Sequence, residues 1–221
     1  IACMLTWGAL NIIGASPEKR AEIERAQHEV AEAVDHEITE LKIEHDSQGN
    51  RAKAYLYCLE TRCPQTGWLV PMAPSWVISK TRSVIAQLLP DHANKRFKIE
   101  IKTGASKEEM EAAEQGTVRD GNVVYGLDGK TWVTPIKTIR GDYRDVNGNL
   151  KNHLRRWEKH DFKPRPSDIL QERLYCVQWM QADTLGSHRP DTFFATVTEA
   201  DLERERKVDV IVAENLASWQ R

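Results

Sequence analysis

The chain has 221 residues, with 31 Lys+Arg against 33 Asp+Glu and a formal net charge of -2. At 40% hydrophobic and 29% charged residues it has enough apolar material for a core, which excludes a disordered chain. The balanced charge excludes a uniformly basic nucleic-acid binder but leaves room for a local basic face.

The longest apolar run, Ile1 to Ile13, is interrupted by Thr6 and Asn11. It is shorter than the roughly 20 residues that span a bilayer, and it lacks the basic start of a signal peptide. The expectation is therefore no membrane association, a cytoplasmic location and reduced thiols at Cys3, Cys58, Cys63 and Cys176.

The chain opens on Ile1-Ala2-Cys3-Met4-Leu5, which reads as the inside of a buried helix, apolar on nearly every face as far as Gly14. At the other end, Asp209 to Trp219 is helical with no Gly or Pro stop. Both ends read as cut, so the sequence is expected to be an internal piece of a larger protein. Ser16-Pro17-Glu18 is a helix start: Ser caps, Pro fits the first turn, and Glu suits the positive end of the dipole. Ile23, Ala26, Val30, Val34, Ile38 and Leu41 then recur at spacings of 3 and 4. This predicts one helix of roughly 28 residues that ends near Ser47-Gln48-Gly49-Asn50. Residues 17–50 hold ten acidic and four basic side chains, so the helix is acidic outside its stripe. Residues 1–50 are expected to form a helical hairpin, and 51–221 an α+β domain.

The middle is rich in strand signals. Tyr55–Leu59, Ser75–Ile78, Val84–Leu89 and Arg96–Lys102 read as strands, the last alternating apolar and charged residues. Ser106-Lys107-Glu108-Glu109 opens a short helix through Met110. Val123–Tyr125 and Thr131–Val133 flank Gly126-Leu127-Asp128-Gly129 as a hairpin. Leu174–Trp179 and Phe193–Val197 are two further strands, and Thr198 or Glu199 begins the last helix. The predicted fold class is α+β, with a long acidic helix near the N-terminus, a central mixed or antiparallel sheet, a degenerate zinc-ribbon-like turn and a C-terminal helix.

Residues 137–165 are the most basic long window. Lys137, Arg140, Arg144, Lys151, Arg155, Arg156, Lys159, Lys163 and Arg165 oppose Asp142, Asp145, Glu158 and Asp161, with Tyr143, Trp157 and Phe162 between them. It reads as a loop with a short helix near Leu150–Trp157, which would place Arg155, Arg156 and Lys159 on neighbouring parts of one turn. Cations that neutralise phosphates, laced with aromatics that stack on bases, suit a nucleic-acid backbone. The candidate nucleic-acid-binding residues are Lys137, Arg140, Arg144, Arg155, Arg156, Lys159, Lys163 and Arg165; the bland alternative is a solvated loop. His153 and His160 in that window read as surface residues.

A zinc knuckle reads Cys-Pro-x-Cys-Gly, because two thiolates on a tight turn present sulfur to one side of a tetrahedral metal. Here Cys63-Pro64-Gln65-Thr66-Gly67 carries Thr66 in the second thiolate position. Cys58 and Cys63 are therefore weak metal candidates, and the expectation is no bound metal. Asp35-His36-Glu37 and Glu44-His45-Asp46 read as charge clusters on the acidic helix. No dinucleotide-binding, phosphate-loop, serine-hydrolase or zinc-protease signature occurs, so no catalytic residue is assigned.

Several segments together resemble a family of adenine-specific DNA methylases of bacterial anti-phage defence loci. They are Leu5-Thr6-Trp7-Gly8-Ala9-Leu10-Asn11-Ile12-Ile13, Ala54–Cys58 with Arg62-Cys63-Pro64, Pro74–Ile78, Thr134–Tyr143, Asp161–Pro166 and Glu172–Cys176. The resemblance implies an S-adenosylmethionine-dependent parent, DNA as partner and other defence proteins as possible partners. Such methylases carry an Asp-Pro-Phe-x-Gly-x-Gly type cofactor loop and an Asp- or Asn-Pro-Pro-Tyr tetrad that holds the flipped adenine. Neither occurs here, so no catalytic or cofactor-binding residue is carried over and no cofactor is expected in this fragment. The resemblance implies an insertion domain that assists DNA binding or target selection; a protein-interaction module is the alternative.

Overall fold

The computed structural model describes residues 2–219, so Ile1 of the expected N-terminal helix lies outside the described residues. The chain divides into two compact units, Ile1–His45 and Asp46–Arg221.

The first unit holds α1 (Ala2–Gly8), a π-helical turn (Ala9–Ile13) and α2 (Pro17–Leu41). The expected buried helix is instead a seven-residue α-helix that stops at Gly8, the poorest helix former in the run. Met4, Leu5, Trp7, Leu10 and Ile13 are exposed. In α2 the Ser16 hydroxyl accepts the Lys19 N–H at 3.3 Å, with Pro17 in the first turn. The helix has 25 residues and ends where Lys42 turns left-handed at φ +54°. It falls short of the expected Ser47–Asn50 end because that stretch closes on itself. Asp46 Oδ1 accepts the N–H groups of Gln48 and Asn50 at 2.8 and 2.9 Å, a local loop that competes with helix.

The second unit is α+β, with a mixed multi-stranded sheet and a C-terminal helix. In chain order its elements are β1 (Arg51–Arg62), β2 (Leu69–Met72), β3 (Val77–Ser79), β4 (Val84–Asp91), β5 (Arg96–Thr103) and α3 (Lys107–Glu114). Then come β6 (Val118–Arg119), β7 (Asn122–Leu127), β8 (Lys130–Pro135), α4 (Ile136–Arg140), β9 (Tyr143–Arg144), β10 (Leu150–Lys151), β11 (Leu170–Met180), β12 (Thr192–Thr196) and α5 (Glu199–Trp219).

Seven strands form one sheet in the order β12-β11-β1-β2-β5-β4-β3. Its neighbours pair antiparallel except β2 and β5, which are parallel. The pairing of β1 with β11 shifts register twice, with Lys53 the extra residue on β1 and Tyr175 the extra residue on β11. The Ile101 N–H donates to Thr196 Oγ1 at 2.8 Å, so the curled sheet brings β12 to β5.

β6, β7 and β8 form a second sheet. Both of its turns are Asp-Gly pairs with positive φ at both residues, Asp120/Gly121 and Asp128/Gly129, the type I′ geometry that matches strand twist. This small sheet and α4 bury Val123, Tyr125, Leu127 and Ile139 against Trp68, Val70 and Phe97. A second core gathers Cys58, Trp76, Ile85, Ala86 and Ile99. A third joins Ala52, Leu174, Val177 and Trp179.

Helix α5 begins as expected. The buried Asp201 accepts the Thr198 N–H at 2.7 Å and its hydroxyl at 2.6 Å. Tyr57 OH donates to Glu205 at 2.7 Å, and the Arg204 guanidinium lies over the Trp179 ring. Among the described residues no helix is long and apolar enough to cross a membrane.

Candidate nucleic-acid interface

The basic window does not form the expected helix near Leu150–Trp157. Leu150 and Lys151 pair with Arg144 and Tyr143 as a two-stranded ribbon, and residues 152–157 are irregular. The cause is the ribbon's tip. Asp145 Oδ1 accepts the N–H groups of Asn147 and Asn149, both at 2.9 Å, and Gly148 supplies φ +80°. Upstream, α4 was not anticipated; Pro135 leads into it and Gly141 closes it at φ +64°. A Cβ on Gly141 would meet His153 Nδ1 at 2.6 Å. The His153 N–H donates to the Arg140 carbonyl at 2.9 Å, and its ring lies 5.3 Å from that of Tyr143. His153 thus clamps the ribbon to α4.

Acidic neighbours divide the eight candidate cations. Arg155 binds Asp168 through two parallel bonds of 2.8 Å and also reaches Asp161. Arg165 pairs with Asp161 at 2.9 Å and Glu158 at 2.8 Å. The Glu158 N–H, with Arg155 and Arg165 behind it, holds the Asp161 carboxyl down at about 2. Arg155 and the N–H of Arg165 lower Asp168. Such bidentate, charge-assisted pairs fix a loop's geometry. Lys163 is bound to Asp209 on α5, and Arg140 to Asp142 at 2.7 Å. The expectation that Arg155, Arg156 and Lys159 share one helical turn therefore fails: Arg155 is a structural strut.

Lys137, Arg144 and Arg156 have no carboxylate partner among the described residues, and neither has Lys151. Lys137 sits on α4 beside a cleft of about 550 Å³, walled by the Asp120–Asn122 turn, Pro135, Ile136 and Arg140. Arg144 and Lys151 stand on the ribbon, and Arg156 precedes the half-exposed Trp157. Lys151 was not singled out in the sequence, although the Asp-x-x-Gly-Asn tip at 145–149 marks it as a strand residue.

The two weak metal candidates do not converge. Cys58 belongs to the core around Trp76, and Cys63 to the core around Trp68. No group of three or more His, Cys, Asp or Glu side chains suited to a metal ion occurs among the described residues. That includes the Asp35–Glu37 and Glu44–Asp46 clusters. The polar neighbours at this turn are hydroxyls: Cys63 Sγ lies 3.3 Å from Thr134 Oγ1, and Thr66 Oγ1 lies 2.6 Å from Tyr125 OH.

Burial pushes the Cys63 thiol up, but Thr134, Tyr125, Thr66 and the Gln65 N–H outweigh it and bring it to about 7. Burial is the main cause that pushes Cys58 and Cys176 up to about 12, with Glu60 adding to it at Cys58. A depressed folded value stabilises the fold fully above the ordinary thiol value of 9.0, and this contribution disappears as pH falls through about 7. The stability difference between the native chain and Cys63→Ala should thus grow from pH 6 to pH 9, read by urea unfolding at both values. A difference independent of pH would mean that Cys63 stays a neutral thiol.

No family model, curated protein or solved structure matches the chain.

Proposed function

We propose that the chain is an internal domain of an S-adenosylmethionine-dependent DNA adenine methyltransferase of a bacterial anti-phage defence locus. It helps to bind DNA or select the target and does not catalyse alone. The observation that carries this reading is the division of the basic window. Asp142, Asp161, Asp168 and Asp209 hold Arg140, Arg155, Arg165 and Lys163 in place, and Lys137, Arg144, Lys151 and Arg156 are left without a carboxylate partner among the described residues. Cations on a rigid footing suit phosphate contacts, and the exposed Trp157 beside Arg156 suits stacking on a base. The cofactor and the flipped adenine belong to the catalytic part of the parent. In the same reading the Cys63–Trp68 turn is a zinc knuckle that exchanged its second thiolate for Thr66. Lys159, a candidate in the sequence, is held by an interaction within the structure and is not counted among the four contacts.

Titration of the chain against a labelled duplex tests the proposal. Four phosphate contacts predict affinity that weakens on the order of 100-fold between about 50 and 200 mM salt. No binding, or binding indifferent to salt, overturns it.

A second reading, a protein-interaction module, draws on α2. Its acidic surface flanks Val30, Val34 and Leu41, all exposed, which suits a basic partner of the same defence system.

A further inference from the structure

We propose that the β9–β10 ribbon enters the major groove of duplex DNA, an inference that rests on the DNA-binding reading above. The ribbon is a separate two-stranded sheet. Arg144 lies opposite Leu150, and Tyr143 opposite Lys151. Because successive side chains on a strand alternate between faces, Arg144 and Leu150 share one face, and Tyr143 and Lys151 the other. Each face therefore carries one cation. A ribbon inserted tip-first meets a sugar-phosphate wall on both sides, and a cation on each face matches that surrounding. The major groove, about 12 Å wide, admits a two-stranded ribbon in an undistorted duplex; the minor groove, about 6 Å wide, takes one only where the DNA is bent or widened.

The arm is braced at both ends. At the base, His153 packs on Tyr143 and Gly141, and the Asp142 N–H donates to the Lys137 carbonyl at 2.9 Å. At the tip, Asp145 turns its carboxylate into the loop, and the Arg144 guanidinium donates to the Gly148 carbonyl at 2.7 Å. This leaves Val146 at 102% relative exposure and Asn147 exposed beside it, with no partner for its carboxamide among the described residues. An apolar side chain meets the thymine methyl, and a carboxamide pairs with adenine N6 and N7. The tip is thus built to read A·T pairs, and Arg144 and Lys151 hold it between the walls.

Dimethyl sulfate footprinting of the full chain on a 30-base-pair duplex tests this. The reagent marks guanine N7 in the major groove and adenine N3 in the minor groove. On a duplex that alternates A·T and G·C pairs, the expected result is protection at guanine N7 beside the A·T pairs under the tip. Arg144→Ala/Lys151→Ala should lose this protection and bind about 10- to 100-fold more weakly, as two lost phosphate contacts require. Val146→Glu, at a fully exposed position, places a carboxylate at the tip and should act the same way. Binding without guanine N7 protection, protection confined to adenine N3, or both variants protecting like the native chain overturns the ribbon's role and leaves the DNA-binding reading standing. A native chain that fails to bind the duplex overturns both.

Discussion

Glu60→Ala should destabilise the second unit by about 3–5 kcal/mol, the effect of removing one partner from a buried ion pair. Glu60 is 6% exposed on β1, at the junction of three strands. Its Oε1 accepts from Arg173 on β11 at 2.7 Å, and its Oε2 from Arg96 on β5 at 3.2 Å. Arg173 is 17% exposed, so the substitution leaves its charge largely out of water with no counter-ion. For a chain of this size the loss corresponds to a fall in melting temperature of roughly 6–20 °C. Glu60→Gln keeps one acceptor oxygen and sets an NH2 donor against the other arginine, so it should recover only part of the loss. Thermal unfolding followed by circular dichroism gives the answer; a shift within about 2 °C would mean that water reaches Arg173 after substitution.

The strands were legible because their signals are local. Arg96–Lys102 alternates in sequence, and Phe97 and Ile99 are buried between exposed Lys98 and Glu100. The start of α5 was equally plain from Thr198 and Glu199. Turn chemistry was under-read. The Asp-x-x-Gly-Asn pattern occurs at 46–50 and again at 145–149, and both copies close with the same Asp carboxylate bonds. The first copy stopped α2 early, and the second replaced the expected helix near Leu150–Trp157 by a ribbon. The Asp120-Gly121 hairpin carried the same kind of signal.

The division of the basic window was beyond the sequence for a different reason. Asp168 and Asp209 lie outside the window and reach Arg155 and Lys163 only after folding. A charge count over 137–165 weighs a locked arginine and an unpaired one alike.

That division yields the second large effect. Replacing Lys137, Arg144, Lys151 and Arg156 together by Ala should weaken duplex binding on the order of 1,000-fold near 0.1 M salt, because four condensed counterions are no longer released. Stability should change little, since these are surface side chains without a carboxylate partner among the described residues and such charges are worth at most about 1 kcal/mol each. Arg155→Ala is the converse. It removes a partner that Asp161 and Asp168 share and leaves them Arg165 as their remaining arginine, so residues 152–171 should become sensitive to protease at a concentration that leaves the native chain intact. Its phosphate contacts, and hence its salt slope, should stay as they were.

The most direct measurement is the slope of log affinity against log salt on one duplex, for the native chain and for the Lys137/Arg144/Lys151/Arg156 variant side by side. The account predicts a native slope near −3.6 that falls close to zero in the variant, about 0.9 per lost contact. Equal slopes in the two proteins would contradict it and return these four cations to a solvated surface.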